Sequence, residues 1–515
     1  MDRKKVIIIG KHPLSDNLIK QYEEMDVDVS HFADVSKTDP ALINQCDELF
    51  LLSDPTKGKE ADSDNAVLAE LWTLADKMDA VTMGERRKTC HLMLQSQKTL
   101  DSMRTCDLCS PIRNLMDVYP FTMEEMWSRS IVLDHTAITI QSERHVHLVA
   151  FGMDEIANMV AINAAHTSHF PNYLRDHSLR TRITMVDEQA SSKYKMFVQR
   201  YQHLFDNSYY RVVSPSASKP VRLFHQPMYA VSREDFVDVE WEFVEATSWN
   251  ADLQDKLRQW SADPKQLLTV VMAYSDGNRN LSEVIRLPEG LFSKQIPIYV
   301  YSEQEVKFSH CPSIRCFGML DRGYDVSLPL VRMAMNVNYI YDRCYHDNFE
   351  EWSDHIINAV EIDVKERARL WQEQTNVNRI SCMCNAMAIP TKMHSIGLFE
   401  NEWDKFYDIS QNDIEILAQV EHNRWSVEKL IMGFRPCNDE EQKMIEADIT
   451  QKRAMKQRKI HYDLRAYDDL RPDETGKAAQ IYDLCLCSCL PLIAKAYVDE
   501  NEQPFASQND KGGES

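Results

Sequence analysis

Short apolar runs alternate with longer stretches of helical period over the first two thirds of this chain. Val6-Ile7-Ile8-Ile9 is a continuous apolar run, the pattern of a strand buried on both faces, and Gly10 ends it ahead of a helical stretch from Ser15 to Met25. Val27-Asp28-Val29, Leu49 to Leu52 and Cys90 to Leu94 predict further strands, with a helix over Ala66 to Met78. The cycle restarts at His145 to Gly152, followed by a helix over Asp154 to Ala165 and a strand over Arg182 to Asp187. Leu268 to Tyr274, Ile298 to Tyr301 and Ile314 to Phe317 predict the rest of a second sheet, and Ser275 to Asn278 leads into a helix from Leu281. Alternation of this kind specifies parallel sheets covered on both faces. Tyr194 to Phe205 reads as a helix and Val237 to Val244 as a strand with one wet face. Together they predict an inserted substructure, placed either over the strand ends or at the sheet edge.

The last third changes period. Met333 to Arg343, Trp352 to Val360 and Lys365 to Asn376 are helical, with Pro390 as punctuation, and Trp371, Asn378 and Arg379 read as packing or hydrogen-bonding groups between domains or as ligand contacts. Ser410 and Asp413 are spaced as a capping box. Leu417, Val420, Val427, Ile431 and Phe434 recur at helical spacing, and Gly433 with Pro436 supplies a stop, which predicts one amphipathic helix. Ile481 to Tyr497 closes the module as a final helix, and the polar stretch after residue 499 predicts disorder. The resulting division is an α/β protein: Rossmann-like parallel-sheet modules over 1–135 and 140–330, a helical connector over 331–405, a mostly helical domain over 406–499 and a tail over 500–515.

Candidate chemistry sits first at the turns after the two leading strands. A bare glycine turn lets backbone amides approach a pyrophosphate at a helix N-terminus. The first module offers Gly10, His12 and Ser15 in the three fingerprint positions, and the second offers Gly152, Asp154 and Ala157. Asp154 can cap its helix, but its charge repels a phosphate. Asp187 ends the next strand where such folds place the acid that holds a ribose hydroxyl, though 35 residues after Gly152 instead of about 20. Asp276 stands at a later strand end. NAD or another nucleotide is one expectation for these positions, and a purely structural scaffold is the other.

Two resemblances follow. The strand, Gly-x-Asp-x-x-Ala turn and Arg182-Ile-Thr-Met-Val-Asp187 pieces within 143–190 resemble the TrkA-N type of Rossmann domain, familiar from regulators of potassium transport. Glu421-His422-Asn423-Arg424-Trp425 with Glu428-Lys429, and His461-Tyr462-Asp463-Leu464 with Tyr467-Asp468-Asp469-Leu470, resemble the RyR repeat, a small helical module of ryanodine receptors and bacterial proteins. Glu421, Trp425 and Lys429 recur every fourth residue, so one helix face can offer an indole flanked by both charges, suited to a planar ligand. The alternative leaves Trp425 in the core, Glu421 and His422 as hydrogen-bonded supports and Lys429 as a solvated charge. With His461, Asp463 and Tyr467 these are the candidate ligand-binding residues. The resemblance implies a sensor in stress or antiphage signalling. Tyr462, Ala466 and Phe434 depart from the repeat's pattern.

Composition narrows the partners. The net charge of -22 from 58 basic and 80 acidic residues repels a phosphate backbone, so nucleic acid is excluded as a default partner. No apolar run reaches the roughly 18 residues of a membrane span, and the N-terminus lacks the pattern of a signal peptide, which points to the cytoplasm. Thirteen cysteines at irregular spacing, Cys106 and Cys109 among them, predict reduced thiols, and no metal site is expected. Three classes compete: a ligand sensor binding a small molecule, an NAD- or nucleotide-dependent enzyme, and a non-catalytic scaffold. A homo-oligomer is expected, and a protein partner is possible.

Overall fold

The computed structural model describes residues 3–56, 60–79, 87–105, 109–112, 114–131, 137–213, 235–326, 330–346, 362–399, 402–472, 476 and 478–498. The expected helix over Trp352 to Val360, the tail after residue 499 and Cys106 lie outside them.

The first sheet consists of β1 (Lys5–Ile9), β2 (Asp28–Phe32), β3 (Glu48–Leu51), β4 (Lys88–Met93) and β5 (Met116–Phe121). All are parallel, in the order β2-β1-β3-β4-β5. The second consists of β6 (His145–Phe151), β7 (Thr181–Asp187), β8 (Tyr209–Val213), β9 (Val239–Glu245), β10 (Gln266–Met272), β11 (Ile298–Tyr301) and β12 (Ile314–Phe317). It too is parallel throughout, in the order β12-β11-β10-β6-β7-β9-β8. The protein is therefore α/β, with a mostly helical C-terminal region, as the alternation of strands and helices predicts.

Period-two alternation explains how the sheets are covered. In β1, Ile7 and Ile9 enter one core with Leu49 and Leu51, while Val6 and Ile8 enter another with Phe50. That second core also receives Leu148 from β6, Ile183 and Met185 from β7, and Val427 and Leu430 from the C-terminal region. One apolar mass thus lies between the two sheets and the last helical layer.

The stretch from Val237 to Val244 takes the sheet-edge placement: β9 lies between β7 and the edge strand β8, and the helices Ala190–Arg200 and Gln202–Asn207 form the crossover from β7 to β8. The polar alternate positions of β9 are not wet. Glu242 is buried, accepting a hydrogen bond from Thr184 Oγ1 at 2.8 Å and pairing with Arg211. Strands β5 and β8 escape the apolar pattern because Asp117 and Pro120 interrupt one and Arg211 the other. A proline is tolerated in β5 because that strand is a sheet edge.

In the C-terminal region, helices Asn376–Met387 and Ile389–Ser395 pack on the long helix Gln411–Ile431, and Leu330–His346 packs on Val364–Glu373 and Asn376–Met387. The long helix begins in the expected Ser410–Asp413 capping box. The final helix expected over Ile481 to Tyr497 is two helices, Gln480–Ser488 and Leu490–Val498. Trp371 donates to Tyr119 Oη at 2.8 Å and Arg379 pairs with Asp117 at 2.9 Å, so both join the connector to the first sheet. Contrary to the expectation of reduced thiols throughout, Cys344 and Cys485 are joined as a disulfide across 141 residues. No helix among the described residues is long and apolar enough to cross a membrane.

Candidate functional site

The glycine turn of the second module is filled by the protein's own side chains. Gly152 has φ +101°, and a Cβ there would lie 2.9 Å from the Ala273 carbonyl oxygen, so its bare face serves close packing against the end of β10. Asp154 occupies the N-cap position of helix Glu155–Thr167 but does not cap it. Its carboxylate instead pairs with Lys193 Nζ at 3.0 Å and accepts from Ser275 N and Oγ at 3.3 and 3.2 Å. Asp187, 2% exposed, accepts from Met153 N, Gln189 N and Lys193 Nζ at 3.0, 2.8 and 2.8 Å. Partial burial opposes the charge of Lys193, yet its hydrogen bonds to Asp187 and Asp154 raise its pKa. Ala157 is fully buried, and Asp276 spends its carboxylate capping helix Gly277–Val284 through Asn278 N and Arg279 N. Asp187, expected to hold a ribose hydroxyl, thus has its carboxylate engaged by two backbone amides and by Lys193, which bridges it to Asp154.

The first module repeats the glycine geometry but leaves a cleft. Gly10 has φ +129°, and a Cβ there would collide with the Leu52 carbonyl. Part of the turn is engaged: Gly10 N donates to the Phe32 carbonyl at 3.0 Å, His12 Nδ1 accepts from Leu14 N at 3.0 Å, the His12 carbonyl accepts from Ser15 N and Oγ at 2.9 and 2.7 Å, and Pro13 has no N–H. Burial lowers the His12 pKa against the opposing charge of Asp54. Beside this turn opens a cleft of about 430 Å³, open solvent included, walled by Gly10, Lys11, Asp34, Asp54, Ser63 and Glu70. It lies over the carboxyl ends of β2, β1 and β3, where the strand order reverses. Asp34 follows Gly10 by 24 residues, near the spacing at which Asp187 was sought, and that spacing was the signal for it. Its Oδ1 accepts from Ser36 Oγ, which lowers its pKa. Asp54 accepts from Thr56 N and Oγ1 at 2.9 and 2.6 Å.

In the C-terminal region the spacing of Glu421, Trp425 and Lys429 misleads about the charges. Glu421 is 2% exposed and turned to its neighbours: Asn385 Nδ2 and Lys392 Nζ reach it at 2.8 Å, and Arg424 binds both its oxygens at 2.8 Å. Burial works against its charge, but Arg424 and Lys392 hold the Glu421 carboxyl down at about 2. Lys429 is buried against Glu428 at 3.1 Å and sits 5.9 Å from the rings of both Trp425 and Phe434, so it is neither a solvated charge nor a free ligand contact. These polar positions leave the long helix buried on most of its circumference from Ile416 to Leu430, and the amphipathic expectation fails there.

Trp425 itself is only partly buried. Its ring lies 5.6 Å from His422, close to parallel, and 4.8 Å from His461, edge-on, while Tyr467 stands 5.8 Å from His422. His422 Nε2 donates to the Arg465 carbonyl at 2.8 Å, and its Nδ1 lies 3.3 Å from Asp483. Burial opposes its charge, but the Asp483 carboxylate raises its pKa. Burial and then Lys456 and Lys452 push His461 well below its ordinary value. Asp463 is engaged by Lys452 at 2.9 Å. The structure thus brings His422, Trp425, His461 and Tyr467 together as an aromatic group, with Glu421 behind it. Lys392, Asn385 and Asp483 were not legible because they come from other helices.

The chain matches no known family profile and no curated protein. Among solved structures, the A chain of dipicolinate synthase from Bacillus subtilis aligns over 61% of this chain and 89% of its own, at 7% identity and a TM-score of 0.19. At that score the likeness transfers neither geometry nor activity, and the α/β class rests on the two parallel sheets themselves.

Proposed function

We propose that this chain is a ligand-responsive regulatory protein whose small-molecule site is the cleft at the β1/β3 switch point of the first sheet. The position of that cleft carries the reading: open α/β sheets bind ligands outside the carboxyl ends of their strands where the order reverses. Asp34, Asp54 and Glu70 offer acceptors for sugar hydroxyls, and Lys11 offers an ammonium for a phosphate oxygen. A nucleotide-like ligand entering by its sugar suits this wall better than one entering by its phosphates, because Asp34, Asp54 and Glu70 line it against Lys11. The second module, its turn bridged by Lys193, acts as scaffold, and we retain its likeness to TrkA-N domains as part of the reading. The RyR-like module would respond through the long helix, which packs on helix Glu155–Thr167. The switch would need a difference in ligand affinity between two arrangements. Self-association and a place in stress or antiphage signalling complete the proposal.

Thermal unfolding with adenosine, ADP-ribose, NAD and ATP tests it. A ligand at 100 times its Kd adds about 2.7 kcal/mol to stability. The reading expects stabilisation by at least one of them, lost in the double variant Asp34→Asn, Asp54→Asn. No stabilisation by any of the four, or stabilisation that the double variant keeps, removes the cleft from consideration.

A further inference from the structure

The bond between Cys344 and Cys485 ties two layers that do not otherwise share a chain segment. Cys344 lies near the end of helix Leu330–His346 in the connector and Cys485 lies in helix Gln480–Ser488, with Cα atoms 6.8 Å apart and both residues 1% exposed. Tyr341 and Tyr482 stack beside them at 4.9 Å. Two residues before Cys485, on the same helix, Asp483 places its carboxylate 3.3 Å from His422 Nδ1, and His422 lies against Trp425 at 5.6 Å. The covalent tie therefore fixes the helix that supplies the charge behind the aromatic group. The other two cysteines of this stretch, Cys487 and Cys489, are also buried, and burial pushes both thiols up, Cys489 to about 12.

We propose that Cys344 and Cys485 form a thiol–disulfide latch that sets the geometry of the Trp425 group. In the bonded state Asp483 is held against His422. In the dithiol state helix Gln480–Ser488 is tied to the connector by packing alone and Asp483 can leave the imidazole. The bond forms by exchange with a low-molecular-weight disulfide. One cysteine thiolate attacks it, forming a mixed disulfide and releasing one small thiol. The second cysteine thiolate then displaces the other small thiol. The protein's two thiols lose two protons and two electrons, and the small disulfide takes up both. This inference does not depend on the cleft of the first sheet.

Peptide mass analysis after trapping thiols with N-ethylmaleimide in denaturant reads the bond, and hydrogen exchange reads its effect. After incubation with oxidised glutathione, the peptides carrying Cys344 and Cys485 are expected cross-linked, with two fewer alkylated thiols than after dithiothreitol. Reduction of the unmodified protein, and Cys344→Ser or Cys485→Ser, are expected to raise exchange over residues 480–488 and 418–428 by about threefold or more, while Cys311→Ser, at a half-exposed free thiol, leaves both segments unchanged. The emission assigned to Trp425 by difference from Trp425→Phe should shift with the same redox change. Both cysteines alkylated after oxidation would overturn the proposal. A cross-link whose reduction changes neither the two segments nor the Trp425 emission would overturn it equally.

Discussion

Glu421 and Lys392 form the most consequential single pair, because each is buried and each has the other's charge within 2.8 Å. Removing Lys392 leaves Glu421 still paired with Arg424 and Asn385, so the cost falls below the about 3–5 kcal/mol of a buried charge left with no partner. Lys392→Met is therefore expected to lower the urea midpoint of unfolding, by less than a fully stranded charge would, whereas Lys265→Met, at an exposed pair with Glu143, changes it little. The folded Glu421 carboxyl is depressed to about 2, below its unfolded value, so its contribution is present above the unfolded pKa and is lost as pH falls through the folded one. Urea midpoints measured from pH 6 down to pH 2 should decline over that window, less steeply in Glu421→Gln than in the parent chain. Gly152 is a second sensitive residue. Gly152→Ala combines strain at φ +101° with a contact at 2.9 Å to Ala273, and a loss of about 1–3 kcal/mol is expected from the strain alone.

Among elements, the two leading βα turns show how far a pattern of residue types can be read. Gly10 and Gly152 were legible as the ends of buried strands, and the strands they end lie next to the reversal point of each sheet. What could not be read is what the freed space is for. In both turns the missing Cβ makes room for the neighbouring strand, since Leu52 and Ala273 come from segments 42 and 121 residues away. Asp187 looked like a ribose ligand by its place at a strand end, and only the fold shows Lys193 and the Met153 amide on it. Glu242 looked exposed by alternation because the pattern cannot tell a wet face from one facing Arg211 and Thr184. The bridge at the second turn is itself testable. Lys193→Ala removes the cation between Asp154 and Asp187, and exchange of the Met153 and Gln189 amides should rise while the switch-point cleft of the first sheet keeps its ligand response.

For the whole molecule, the apolar mass that receives Ile8, Leu148, Met185 and Leu430 together decides what counts as a separable piece. A boundary near residue 138 looks natural along the chain, where one strand–helix series ends and another begins. Yet Trp127 donates to the Met319 carbonyl at 3.1 Å, Asn17 to the Leu320 carbonyl at 3.2 Å, and His91 meets Tyr324 Oη at 2.7 Å. An excised fragment of residues 1–138 would present to water the face that these contacts cover. It is expected to aggregate or to bind its complement, residues 139–515, when the two are expressed together. A single unfolding transition for the intact chain is the matching expectation by calorimetry. Evolutionary shuffling of such a protein would have to move both sheets as one cassette, since neither half carries a finished surface of its own.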